Sequence, residues 1–186
     1  MLDESFDASQ FSGIDLIISC GDLAPEYLTS ISTRLQAPLY FVKGNHDIRY
    51  EQKPPEGCAN IHGKLVQFDN LKILGLEGSR WYNGGPNQYT ERQMRRMVRH
   101  LKLEIWWKGG IDMVITHAPP RHIHDAEDRC HKGFNSFRRL IDRYAPKYFI
   151  HGHIHAHFDN FSDRVTTIGT TKVINSYGFT LLEITI

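Results

Sequence analysis

Four short segments of the sequence carry residue types that bind divalent cations: Gly21-Asp22, Gly44-Asn45-His46-Asp47, Thr116-His117 and Gly152-His153-Ile154-His155. Their donors are carboxylate and amide oxygens and imidazole nitrogens, a set that suits manganese, iron or zinc rather than a thiolate-bound ion. Taken singly, each has a plainer explanation. An Asp after a strand caps a helix, a lone His sits on the surface or satisfied in a core, and Asn-His-Asp reads as a turn. Taken together they form a pattern, because each closes a short apolar run: residues 14–20, 39–43, 111–116 and 148–150. The glycines at these ends let the backbone turn sharply.

Those runs must position the four loops. Compact apolar runs that end at Gly or Thr read as buried strands. Pro25 stands where a first helical residue would, and Leu28, Ile31 and Leu35 follow at helical spacing. Strand, helix and strand in this order make a parallel βαβ unit, and an open α/β sheet gathers ligands at the carboxyl ends of its strands. Residues 52–60 read as a loop, and residues 64–68 and 71–76 as a hairpin about Asp69-Asn70. Thr90 and Gln93 have the spacing of a capping box, ahead of a helix with an apolar stripe at Met94, Met97, Val98 and Leu101. The opposite face holds Arg92, Arg95, Arg96, Arg99 and Lys102; it is a solvated basic face or, alternatively, an anion-steering surface. Phe137, Leu140, Ile141 and Tyr144 mark another helix. Residues 164–168, 172–174 and 179–184 read as a closing antiparallel meander, within one mixed α/β domain over residues 1–186.

Composition narrows the partners. The 186 residues carry 22 basic and 21 acidic side chains, so the global charge indicates neither nucleic acid nor a membrane. No apolar run approaches the roughly 20 residues that cross a bilayer. The first ten residues lack the basic and apolar blocks of a secretory signal. Three scattered cysteines make a poor disulfide framework, which fits a reducing, cytoplasmic setting.

In its GD, GNHD, TH and GHIH segments the sequence resembles the calcineurin-like metallophosphoesterases, from about residue 14 to the end. The resemblance implies a four-layer α/β/β/α sandwich with mixed sheets. It implies that Asp22 bridges two metals, that Asn45, His117 and His153 complete one shell, and that His155 serves the other. His46 would then be the general acid or a transition-state donor. The implied activity is hydrolysis of a phosphoester, a phosphodiester in the first instance, by hydroxide activated by the metals, with a small phosphoester or nucleotide as substrate. The alternative is a scaffold or binding protein on a degraded phosphoesterase fold.

The sequence departs from that family at its start. The family opens on a strand ending in Asp-x-His, whereas here Asp3 is the one early carboxylate at a plausible start-of-chain position and no His precedes His46. The first strand is therefore expected to be missing or replaced, one metal site to be better formed than the other, and a sheet edge to be exposed, with a second copy of the chain as a candidate cover. Arg80 and Arg121 are candidate phosphate clamps. His122, His124, Cys130 and His131 match no standard zinc spacing. His151 and His157 flank the last motif as supporting groups.

Overall fold

The structure is a computed structural model that describes residues 11–184; Asp3 lies outside the described residues. Two sheets carry the fold. The smaller contains β1 (Ile17–Ser19), β2 (Leu39–Phe41) and β3 (Cys58–Asn60), all parallel, with α1 (Pro25–Leu35) crossing from β1 to β2. The larger contains β4 (Leu65–Phe68), β5 (Leu71–Leu76), β8 (Met113–Thr116), β9 (Tyr148–His151), β10 (Val165–Ile168) and β11 (Thr171–Asn175). Its order is β10-β11-β9-β8-β5-β4, a parallel centre with an antiparallel strand at each edge. A two-stranded ribbon, β6 (Ser79–Arg80) with β7 (Gln88–Tyr89), lies beside them. The remaining helices are α2 (Glu91–His100), α3 (Lys102–Trp107) and α4 (Asn135–Tyr144).

Side chains alternate across each strand, and the alternation sorts the core into three slabs. Ile73, Met113, Ile115, Ile150 and Ile174 of the large sheet pack with Val42 and Ile61, and with Ile18 and Tyr40 of the small sheet. On the outer face of the large sheet, Leu74, Val114, Phe149 and Val173 meet Met94 and Val98 of α2, Ile105 of α3, and Phe137, Leu140 and Ile141 of α4. On the outer face of the small sheet, Leu39 and Phe41 meet Leu28 of α1. The layers therefore run helix, sheet, sheet, helices, which is the four-layer sandwich the resemblance implied. Each fully buried Leu, Ile or Phe contributes about 1.5–3 kcal/mol, so the slabs hold the strands in register against the loops at their ends.

The capping box of α2 forms as the spacing predicts: Thr90 accepts from the Gln93 amide while the Gln93 side chain reaches back to Thr90 N–H. Four details differ from the sequence reading. Within the expected loop at residues 52–60, residues 58–60 form β3, a half-exposed edge strand too short and polar to signal itself. The basic helix ends at His100, because Leu101 has ψ −8° and turns the chain before α3 begins at Lys102. Of the expected closing meander only β10 and β11 are antiparallel; β11 runs parallel to β9. Residues 179–184 form no strand. The Phe179 carbonyl (3.4 Å) and Thr180 Oγ1 (2.7 Å) turn instead towards the Arg164 guanidinium, which also donates to the Tyr177 carbonyl (3.2 Å).

Candidate metal centre

The carboxyl ends of β1, β2, β8 and β9 all face one region, and the four loops that follow them meet there. The chain turns out of β1 at Gly21 and Asp22, with φ of +93° and +60°. A Cβ on Gly21 would collide with the backbone of Gly44, so the two loops pack main chain against main chain. Asp22 and His153 (φ +65°) both hold the left-handed conformation that non-glycine residues avoid, a cost of order 1–3 kcal/mol each that clusters at functional sites.

Asp22, His117 and His153 each place a potential ligand atom within 4.8 Å of the others. Hydrogen bonding fixes what those atoms present. His117 Nδ1 lies 2.7 Å from the Cys20 carbonyl, which only accepts, so the proton sits on Nδ1. The opposite nitrogen, Nε2, then carries a lone pair. It faces Asn45 Oδ1 at 3.0 Å and Asp22 Oδ2 at 3.4 Å, two further acceptors. Asn45 is turned this way because its amide nitrogen donates to the Tyr82 hydroxyl at 3.2 Å. Protonating Nε2 would relieve the conflict, but complete burial of the His117 ring holds its pKa below the ordinary value, outweighing the pull of the Asp22 carboxylate. Three lone pairs converging in a half-buried space are an arrangement that a cation would satisfy. His153 follows the same logic: Nε2 donates to the Cys130 carbonyl at 2.9 Å, leaving Nδ1 free, and burial pushes its pKa down to about 4. Neutral imidazole is the ligating form, so the donor set fits a divalent ion.

His46 and His155 stand apart from that cluster. The His46 amide donates to Asp22 Oδ1 at 2.9 Å, and its side chain is exposed beside a cleft of about 200 Å³ shared with Asp22, Asp47, Arg49 and Tyr50. His155 stacks on Tyr177, ring centroids 4.6 Å apart, at a wider cleft of about 420 Å³. It lies within electrostatic range of His117. Both candidate clamps are engaged within the chain. Arg121 pairs with Asp125 at 2.6 Å and Glu127 at 2.7 Å, and Arg80 lies 3.7 Å from Glu91 and over the Phe134 ring.

The remaining histidines support the loops. His151 Nδ1 donates to the Gly152 carbonyl at 2.9 Å, so its Nε2 accepts from His124 Nδ1 at 2.8 Å. His124 Nε2 in turn accepts from Thr166 at 2.8 Å. His131 pairs with Asp128 and lies 5.3 Å, ring to ring, from His153. His157, at the rim, lies 3.3 Å from Asp159.

The sequence reading passed over three residues that hold the site. Asp47 Oδ2 accepts from both Gly44 N–H (2.7 Å) and Asp22 N–H (2.8 Å), which ties the first two ligand loops together. Burial, partly offset by those two bonds, pushes its pKa up to about 6. Asn87 donates to the Gly44 carbonyl at 2.9 Å, and the Tyr82 hydroxyl aims Asn45. Asp47 closes the GNHD segment, but spacing carries no signal for its two bonds, and Tyr82 and Asn87 lie outside the four segments altogether.

The calcineurin-like phosphoesterase profile matches residues 2–157, and the chain belongs to that family. Solved structures share the fold. The TT1561 protein of Thermus thermophilus superposes with a TM-score of 0.58 at 15% identity, over 91% of this chain and 79% of that one. A second crystal structure gives 0.56 at 17% identity, over 82% of this chain; the match spans 63% of its own length. No curated protein sequence matches.

Proposed function

We propose that the chain hydrolyses a phosphoester, and a phosphodiester in preference to a monoester, with a divalent ion held by Asp22, Asn45, His117 and His153. One observation carries this reading: the lone pairs of His117 Nε2, Asn45 Oδ1 and Asp22 Oδ2 converge with no proton between them. Oxygen and nitrogen donors favour manganese, iron or zinc. When bound there, such an ion lowers the pKa of water towards 7 and offsets charge on phosphoryl oxygens.

The chain's own groups do the rest. Buried His117 and half-buried His153 stay neutral and keep their lone pairs on the site. The His46 amide steadies Asp22, while its exposed imidazole is free to donate a proton or a hydrogen bond at the leaving oxygen. His155, on the other cleft, belongs to a second and weaker ion site. The preference for a diester follows from charge. A monoester dianion calls for extra cationic side chains, but Arg49, Arg80 and Arg121 are already paired with carboxylates.

The test is turnover of an aryl phosphodiester with added manganese, with and without chelator. Activity should vanish with chelator and fall at least about a hundredfold in His46→Ala, with manganese affinity unchanged in that variant. Activity that survives chelation, or His46→Ala at wild-type rates, refutes the mechanism. Metal uptake without turnover of any aryl phosphoester would mark a binding protein on this fold.

A further inference from the structure

Global charge balance conceals a local segregation. Residues 91–108, spanning α2 and α3, hold six basic side chains and two acidic ones, a net +4, in a chain whose total is +1; the rest of the chain is therefore −3. Neither acid faces the arginines of α2. Glu91 accepts from the Asn135 and Ser136 amides, and Glu104 pairs with Lys108. Arg92, Arg95 and Arg99 are exposed and have no acidic partner among the described residues.

The next helix adds apolar bulk beside that charge. Leu103, Trp106 and Trp107 share one face of α3 at i, i+3 and i+4, and are 79%, 78% and 80% exposed. The opposite face is anchored in the core by Ile105, 1% exposed, with Leu101 just before it. Side chains at such exposure project outward; they do not line a groove. A rigid protein partner would need matching pockets for two adjacent indoles, whereas a lipid interface deforms to admit them. Tryptophan also prefers the headgroup boundary, where its ring is apolar and its N–H stays wet. A second copy of the chain would bring the same cations to the same contact, and like charges would repel.

We propose that α2 and α3 form a peripheral docking surface for an anionic lipid membrane, with Leu103, Trp106 and Trp107 entering the interface and Arg92, Arg95 and Arg99 contacting lipid phosphates. Basic residues beside an exposed aromatic face are the two signals that together hold a protein on a bilayer without spanning it. No helix among the described residues is long and apolar enough to cross one. The surface is separate from the metal centre, so it stands or falls independently of the catalytic reading.

The experiment uses the full chain with a Trp81→Phe change, so that emission reports Trp106 and Trp107. Vesicles of equal phosphatidylglycerol and phosphatidylcholine should shift that emission to the blue and co-sediment the protein, whereas pure phosphatidylcholine should do neither. Trp106→Ser with Trp107→Ser should abolish both effects, and an unchanged circular dichroism melt would show the fold intact. Arg95→Glu with Arg99→Glu should weaken binding at least about twenty-five-fold, near fivefold for each arginine removed. Several results overturn the proposal: no response to anionic vesicles, equal binding to neutral vesicles, or blue emission before lipid is added, which would mean that the face is already covered. Tryptophan-dependent binding of a single-stranded oligonucleotide without vesicle binding, or a dimer that the Trp106 and Trp107 changes dissociate, would reassign the surface.

Discussion

Asp47 links the GD and GNHD loops, yet its carboxylate is nearly buried, at 5% exposed. Its folded pKa, about 6, lies above the ordinary 3.8 because burial disfavours the charge more than its two backbone donors favour it. The fold therefore binds the protonated form more tightly. Its stabilising contribution is complete below pH 3.8 and is lost as pH rises through 6, and the separation is worth about 3 kcal/mol at pH 8. Asp47→Asn removes the charge and keeps the shape. The amide oxygen can still accept from Gly44 and Asp22, and its nitrogen replaces the oxygen that does not receive them. In metal-free protein at pH 8, Asp47→Asn should raise the urea unfolding free energy by about 2–3 kcal/mol. The gain should shrink to nothing near pH 4. Asp47→Ala, which leaves two backbone donors without an acceptor, should lose about 1–3 kcal/mol for each relative to Asp47→Asn. Urea titrations with chelator present, at pH 8, 6 and 4, decide the matter. An Asn variant less stable than wild type at pH 8, or a difference that does not vary with pH, would refute the claim that the charge is retained at the expense of stability.

Gly44→Ala would set a Cβ against Asp22 Oδ1 and, at 2.6 Å, against His117 Cε1, so manganese affinity by calorimetry should fall at least tenfold while the far-ultraviolet circular dichroism spectrum stays native. His151 is completely buried and its pKa is pushed down to about 3, below the ordinary 6.5; its contribution is present above 6.5 and is lost as pH falls towards 3. It should weaken the metal-free fold by about 2 kcal/mol between pH 7.5 and 5, and His151→Asn should remove most of that drop in urea titrations. Phe137 is fully buried between Phe134 (4.9 Å between centroids) and Phe149 (5.8 Å), so Phe137→Ala should cost about 3–5 kcal/mol by the same measurement.

The sequence alone carried the strand ends, the order of the ligand loops and the kinds of donor they present. These are local properties: a chain leaving a strand sharply calls for glycine, a divalent ion calls for oxygen and imidazole, and a buried strand calls for an unbroken apolar run. The same locality explains the misses. β3 is short and half exposed, so periodicity does not register it, and residues 179–184 look like a strand although the oxygens of Phe179 and Thr180 turn to Arg164.

Which atoms meet was decided only when the two sheets packed. Asp47 reaches back 25 residues to Asp22, Asn45 reaches 37 residues to Tyr82, and His117 rests on a carbonyl 97 residues away. Nothing in the spacing encodes those directions. The convergence of His117, Asn45 and Asp22 follows from the slab between the sheets, which holds the ends of β1, β2 and β8 at one depth. The sequence determined what could bind a cation; the packing of one sheet on the other determined where the lone pairs point.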